Sequence, residues 1–585
     1  MKYSQLVMGL LLISACKPSP GTTQKKPVAS GNSTPAILDP KPSPVSPVSP
    51  VEDEGPSPMV DQDRNPIISE VIASETVQSP IPDVDSTVGI KLPAFCAKIK
   101  DAGDWKSAHA FYNSAGRLSY PQDKEGNRIP DFSYAGYHYG NEEPPVYPVV
   151  ATLSAIAGDN TKSIQDAINA IGKKTPDAKG IRGALLLKPG KYTVLGTVMI
   201  AQNGIVLRGS GAGNDPSKDT IIIADKDQPH QRTVIVVGSG KDDNWKTSGT
   251  AVEITDAFVA VGAKEFNVKD ASNFKRLDLI QIKHPSTQAW LNAINGGGTI
   301  NDAKWTVGST DIVFQRRVVA VDGKTIKIDA PIYNHLDQKL AVSLVSKLTD
   351  VGVVSESGVE NLRVDIVTAG GEDENHAWDA VGIWGAQDSW VKNVTALHFG
   401  QSGVYTREAM RITVDGTTAI EPVGIRTGER FYNYNSEKLS QLILFKNCLA
   451  KDGRHNFISN GVQTSSGLVW YKCSSDGDSA SEGHRRWTQG MLFDSITEKA
   501  GGSISLFNRE DFGTSHGWGS AHSVIWNYNG NAMAQKPPTA QNYIVSSNAK
   551  RATKAGAPEG AVEIKAGKLG PVSLYEAQLC ERLQK

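Results

Sequence analysis

The sequence has almost no excess of charge. Its 61 Lys and Arg stand against 62 Asp and Glu in 585 residues, a formal net charge of -1. Nothing therefore pulls the whole chain toward nucleic acid or an anionic membrane, and any electrostatic function must be local. Cysteine is scarce, with five in the chain. None forms a CxxC pair, and no Cys/His spacing has the form of a structural zinc site. Long apolar runs are missing too, since Leu6 to Ile13 is too short to cross a bilayer comfortably. Residues 17–88 have no aromatic ring and are rich in Pro and Ser, as in Pro40-Lys41-Pro42-Ser43-Pro44 and Ser46-Pro47-Val48-Ser49-Pro50. Such a segment cannot bury enough surface to fold and reads as an extended tether. Gly209-Ser210-Gly211 follows a strand-like run but opens no helix, so a turn is preferred to a nucleotide loop.

The first sixteen residues set the expected compartment. Lys2 precedes the short apolar run in the manner of a cleaved signal. Ile13-Ser14-Ala15-Cys16 resembles a bacterial lipobox. The resemblance implies loss of residues 1–15, lipidation of Cys16, and a membrane anchor followed by the tether over 16–88. Lys17 after the cysteine implies the outer membrane, by resemblance to enterobacterial sorting. Cys96, Cys448, Cys473 and Cys580 remain, an even number in a compartment that permits disulfides.

The folded part begins near Leu92. In Gly158 to Ala170, Asp159 or Thr161 can cap a helix whose Ile164, Ile168 and Ile171 share one face. Short strand-like runs follow, among them Ala184 to Leu187, Tyr192 to Val194, Val198 to Ile200 and Ile205 to Arg208, mostly separated by Gly or Asn. One short amphipathic helix ahead of many short strands, carried by Asp159 to Ala170, Leu185 to Tyr192 and Ile205 to Gly213, resembles the start of pectate-lyase-like proteins. The likeness is to their rhamnogalacturonase/epimerase-like branch. It implies an all-β fold, a right-handed parallel β-helix whose open N-terminal end is covered by the helix, spanning residues 89–250 and 338–550. Residues 251–337 read as an inserted antiparallel β-module with a hairpin turn at Asp322-Gly323.

From Gly358 six segments superpose, beginning at Val359, Ser389, Met410, Ile443, Val469 and Met491, roughly 22 to 33 residues apart, which suits one solenoid turn each. Asn361, Asn393 and Asn447 fall at bends, where Asn tolerates the left-handed conformation. Cys448 and Cys473 align on adjacent turns about 4.8 Å apart; a disulfide and a pair of buried thiols both suit that position. Residues 551–585 end in a helix over Pro571 to Leu583, capped by Ser573 with Glu576 three residues on. Cys580 there is in a position to meet Cys96.

The segment 426–522 holds four of the eleven histidines and many arginines. A solenoid stacks equivalent positions, so clusters one turn apart in sequence become neighbours. His455 and His484 are 29 positions apart, Arg430 precedes His455 by 25, and Arg509 follows His484 by 25. The reading is a basic groove with Trp487 and Trp518 as apolar platforms. Arginine matches carboxylate or sulfate and aromatic rings match sugar faces, so an acidic polysaccharide is the expected partner. Single-stranded nucleic acid would use the same residue types, but the tether and the neutral net charge argue against it.

The expected chemistry is β-elimination at a uronate. The enzyme must neutralise the carboxylate, place a base at C5 and protonate the departing oxygen. His455 or His484 is the expected base, with Arg485 and Arg454 as carboxylate clamps, His516 and Arg509 nearby, and Arg430 and Arg486 as further substrate contacts. In pectate-lyase-like enzymes an arginine or lysine can itself be the base, and calcium is common. Asp476, Asp478 and Glu482 are the acidic set available to Ca2+, without an ordered ligand motif. Hydrolysis, the first alternative, needs two carboxyl groups, for which Glu429, Glu482, Asp494, Glu510 and Asp511 are available. Glycan binding without turnover, as in an adhesin, is the second. His376 and His398 read as structural.

Overall fold

The computed structural model describes residues 92–97, 103–226, 232–301, 304–477 and 479–584. The signal, Cys16, the tether and Asp478 lie outside the described residues. Among the described residues, no helix is long and apolar enough to cross a membrane.

The chain forms a right-handed parallel β-helix, in which 28 short strands join into one coiled sheet through successive parallel pairings. Each strand buries one face, and the buried faces of successive turns stack into a single core running the length of the coil. Phe445, Trp470 and Phe493 lie one above another in that core, with ring centroids 5.6 and 4.7 Å apart and nearly parallel planes. The coil runs past residue 550, its last rung being Ala561–Ile564.

Two bends repeat at every turn. Strand register places Asn361, Asn393, Gly416, Asn447, Lys472, Ser495 and Asn527 in one column, all with positive φ. Asn393 Nδ2 donates to Asn361 Oδ1 at 2.9 Å, and Asn447 Nδ2 to Asp415 Oδ1 at 2.9 Å. Asn393 is thus satisfied by Asn361 and Asn447 by Asp415, each across a turn, while they hold the left-handed bend. Cys448 and Cys473, one position beyond this column, are buried free thiols.

The second column is Glu356, Asp388, Arg411, Leu442, Gly467, Gly490 and His522, again all with positive φ. At Gly467 and Gly490 the ring of Tyr333 lies directly on the bend. A Cβ would stand 2.8 Å from the ring at Gly467 and 2.2 Å at Gly490. Gly490→Ala should therefore cost about 1–3 kcal/mol, from overpacking and the left-handed backbone together. Urea unfolding measures this, and a loss under about 0.5 kcal/mol would show that Tyr333 can swing away.

The helix Thr161–Gly172 covers the N-terminal end and buries Ile164, Ile168 and Ile171 on the core. Its N-cap is Asn160, not Asp159 or Thr161. Asp159 instead accepts from the Thr161 backbone N–H at 2.8 Å.

The inserted module is wider than residues 251–337. Its six-stranded antiparallel sheet is closed by Trp245–Glu253 pairing with Leu344–Asp350. Asp322 and Thr325 pair across the expected turn at Gly323, whose φ is +58°.

The C-terminal helix Leu574–Leu583 is capped by Ser573, whose Oγ accepts from Glu576 N at 3.1 Å. Its Cys580 is disulfide-bonded to Cys96. Nearby, Trp105–Lys106 pairs in parallel with Leu569–Gly570. An N-terminal arm thus starts against the last turns and runs to the first, where His138 lies 2.6 Å from Glu142 and 2.6 Å from Glu356.

Candidate active site

Four consecutive strands carry the histidine-rich segment: Tyr432–Ser436, His455–Ser459, Ala480–Gly483 and Ser503–Leu506. Each pairs in parallel with the next. Their spacing brings Tyr432 and His455 into register and sets Glu482 one turn above Ile458. His484 and Arg509 follow the third and fourth strands. The loop after Arg509 folds back through a bridge between Asn508 and Trp518, which returns His516 toward His484.

The rings of His455 and His484 are 4.8 Å apart and those of His484 and His516 4.7 Å apart, both edge to face. Tyr432, which sequence reasoning passed over, packs against both His455 and His484, at 5.7 and 5.8 Å. Its hydroxyl accepts from Arg454 Nη2 at 3.1 Å and from the Glu429 backbone N–H at 3.2 Å. Only the rung spacing, Tyr432 standing 23 positions before His455, could have found it.

Glu482 organises the cluster. Its Oε1 lies 2.8 Å from His484 Nδ1, 3.5 Å from His455 Nδ1 and 2.7 Å from Arg509 Nη1, and Arg509 Nη1 also touches His484 Nδ1. His455 Nδ1 is 3.0 Å from the Ala480 carbonyl and 1 % of His455 is exposed. That carbonyl can only accept, so Nδ1 carries the proton and the lone pair is on Nε2, which is buried and has no hydrogen-bond partner.

Burial, then the neighbouring guanidiniums, hold all three imidazoles well below their ordinary range. For His455 the charges are Arg454 and Arg509. For His484 they are Arg509 and the other two histidines. For His516 they are Arg509, Arg485 and Arg486. The imidazoles are therefore neutral near pH 7.

The remaining arginines divide. Arg454, Arg485 and Arg486 stand half-buried beside the cluster, with Arg486 Nη2 donating to the Thr514 carbonyl at 2.7 Å. Arg430 is turned elsewhere. It pairs with Glu374, Nε to Oε1 at 2.5 Å and Nη2 to Oε2 at 3.1 Å, and its guanidinium lies 5.1 Å from the Trp378 ring. Its guanidinium is thus held by Glu374.

Trp487 and Trp518 are not platforms, because the inserted module covers them. Trp487 is fully buried, edge to face with Trp290 at 5.5 Å, and its Nε1 donates to Asn334 Oδ1 at 3.0 Å. Trp518 is buried beneath Gly298.

Of the carboxyl groups available to a hydrolase, Glu429 belongs to the residue whose backbone N–H meets Tyr432 at the cluster, and three others have partners of their own. Asp511 accepts from the backbone of Ile300 and Asn301, each at 2.8 Å. Glu510 pairs with Lys554 at 3.2 Å. Asp494 is buried against the C-terminal helix, accepting from Ser495 Oγ at 2.8 Å, Ser573 Oγ at 2.8 Å and Tyr575 N at 2.7 Å. Burial pushes its carboxyl up to about 7 from an ordinary 3.8. A carboxyl raised on folding stabilises fully below its unfolded value, and that stabilisation is lost as pH rises through the folded one. Asp494→Asn should thus flatten the fall in melting temperature between about pH 4 and 7. An unchanged slope would assign the fall to other groups.

A cation fits this cluster poorly. His455, Glu482 and His484 offer ligand atoms within 4.8 Å of one another, but Arg509 already places its charge 2.7 Å from the same Glu482 oxygen. The same pairing withdraws Glu482 from the acidic set considered for calcium.

No protein-family model and no curated protein matches the sequence. Among solved structures, a tailspike protein of Pseudomonas phage LKA1 is similar at a TM-score of 0.36 and 13 % identity, over 69 % of this chain and 70 % of that one. The polygalacturonase of Erwinia carotovora is similar at 0.32 and 10 %, over 73 % and 98 %. The surface adhesin PfbA of Streptococcus pneumoniae is similar at 0.28 and 10 %, over 72 % and 93 %. Scores this low mark a distant likeness, and the chemistry has to be read from the residues themselves.

Proposed function

We propose that this protein is a polysaccharide lyase that cleaves an acidic, uronate-containing glycan by β-elimination. We further propose that it does so at the bacterial cell envelope, held through a lipid on Cys16, at the outer membrane. The observation that supports the reading is a set of neutral imidazoles beside fixed guanidiniums, with the carboxylate of Glu482 tied into the cluster by Arg509 and His484. Elimination needs a base and a counter-charge, whereas hydrolysis needs two carboxyl groups across the bond.

In the proposed reaction Arg454, Arg485 and Arg486 neutralise the uronate carboxylate and so acidify the proton on C5. His455, through its Nε2 lone pair, takes that proton. The C5–H electrons form the C4=C5 double bond, and the C4–O4 bond breaks. The leaving oxygen takes a proton from water or from a neighbouring acid of the cluster. Glu482 fixes the ring of His484 beside the base.

The test is incubation with a panel of uronate polysaccharides, reading the ultraviolet absorbance of the unsaturated product. One glycan should give product, and its kcat/KM should hold its plateau to below pH 6.5, the ordinary histidine value, because the imidazoles resist protonation. An acid limb at or above pH 6.5 would remove the buried histidines from the base role. Burial of the cluster favours a second reading, glycan binding without turnover: His455, Glu482 and Arg509 are each 1 % exposed. Binding of a glycan with no product from any of the panel would select it.

A further inference from the structure

The inserted module carries a cavity that the proposed reaction does not use. The helix Gln288–Ala293 is capped by Thr287, whose Oγ1 accepts from Trp290 N at 3.2 Å. It runs into Asn295-Gly296-Gly297-Gly298, four successive residues with positive φ. That reversal lets the chain double back, so that Trp305 N donates to the Gly296 carbonyl at 3.1 Å. The Trp305 ring lies so close to Gly297 that a Cβ there would stand 2.3 Å from it. Between helix and turn is a cavity of about 410 Å³, within the ~300–1,000 Å³ usual for small-ligand sites.

Its lining is amide-rich. Gln288, Asn292, Asn295 and Lys304 are exposed at the rim, and Trp305 lies buried below. Gln288 Nε2 donates to Asn292 Oδ1 at 2.8 Å, which leaves the Asn292 N–H donors and the Gln288 carbonyl to water or a ligand. Amides offer donors and acceptors in the mixture that sugar hydroxyls require. The indole gives an apolar floor. Among the described residues, Lys304 is the charged group in the lining.

The cavity is joined to the loop that bears His516. Trp305 Nε1 donates to the Ser515 carbonyl at 3.1 Å, and Asn508 Nδ2 to the Gly298 carbonyl at 2.8 Å. Asp511 holds the Ile300 and Asn301 amides at 2.8 Å. We infer that this cavity is a second carbohydrate site, which takes an anionic sugar unit of the same glycan that the histidine cluster engages. The inference rests on the glycan reading of the main site and adds a place for a unit outside the scissile pair. Holding a remote unit raises the effective concentration of the polymer at the cluster.

The experiment uses the full chain and the double variant Lys304→Ala/Asn292→Ala, both substitutions being at exposed positions. With polymer, KM should rise about tenfold and carry the whole of the loss in kcat/KM. Separately, free galacturonate and glucuronate, with glucose as neutral control, are titrated by ligand-observed NMR. Uronate binding should weaken about tenfold in the variant, on the pattern expected when a counter-charge and amide donors are removed. Equal uronate affinity in parent and variant, or a parent that binds neither uronate, would overturn the inference. If the parent makes no product from any glycan yet loses uronate binding on substitution, the lyase reading falls and this one stands. Product with an unchanged polymer KM in the variant gives the reverse.

Discussion

His484→Gln and His455→Asn should each lower kcat by about 10²–10⁴, the usual worth of a positioned acid or base. His484→Gln keeps an N–H within reach of Glu482, so the fold should survive, and thermal melting within a few degrees of the parent verifies this. The two imidazoles share Glu482 and stand 4.8 Å apart. If they act as one unit, the double variant should be no slower than the worse single one, because groups that work together are strongly non-additive. His398→Gln is the control. That histidine bonds to Asp365 at 2.9 Å, away from the cluster, and its replacement should leave the rate unaltered. Full activity in either cluster variant would remove that histidine from the chemistry.

Arg411→Leu should destabilise the protein by about 3–5 kcal/mol, the cost of leaving a buried partner charge uncompensated. Arg411 is fully buried and forks onto Asp388, Nε to Oδ1 at 2.7 Å and Nη2 to Oδ2 at 2.6 Å. Its guanidinium also lies 4.8 Å from the Tyr139 ring of the N-terminal arm. The arm should therefore loosen with the ion pair, and proteolysis within residues 129–147 should quicken alongside the shift in urea midpoint. Arg411→Leu/Asp388→Leu should recover most of the loss, since removing both charges leaves no unpaired one. A single variant within about 1 kcal/mol of the parent would mean that Asp388 finds another cation or takes up a proton.

The coil was legible because its cause is local. Alternating burial, Asn or Gly at the bends and a spacing near one turn are all written in adjacent residues, as at Asn361, Asn393 and Asn447. The same spacing made the proximity of His455, His484 and Arg509 readable, but not the roles of these groups. What escaped depends on partners far off in sequence. Trp487 looked like a sugar platform until Asn334, 153 positions away, was seen to bond its indole. Arg430 looked available until Glu374, 56 positions earlier, took its guanidinium. Periodicity reports which face a side chain leaves by, and it carries no record of what an insertion lays over that face. The organising part of Glu482 was hidden for a similar reason, since it needs His455, His484 and Arg509 assembled from three turns before it has anything to hold.

The bond between Cys96 and Cys580 has a mechanical consequence. The segment 92–97 is stapled covalently to the C-terminal helix beside the last rungs, and not to the first rung. Traction applied through that leading segment therefore enters at the C-terminal helix and is borne by a sulfur–sulfur bond in parallel with the arm. The turns that carry the imidazoles stay outside the loaded stretch of chain. A pull on this segment would strain the staple before it began to unwind the rungs one by one.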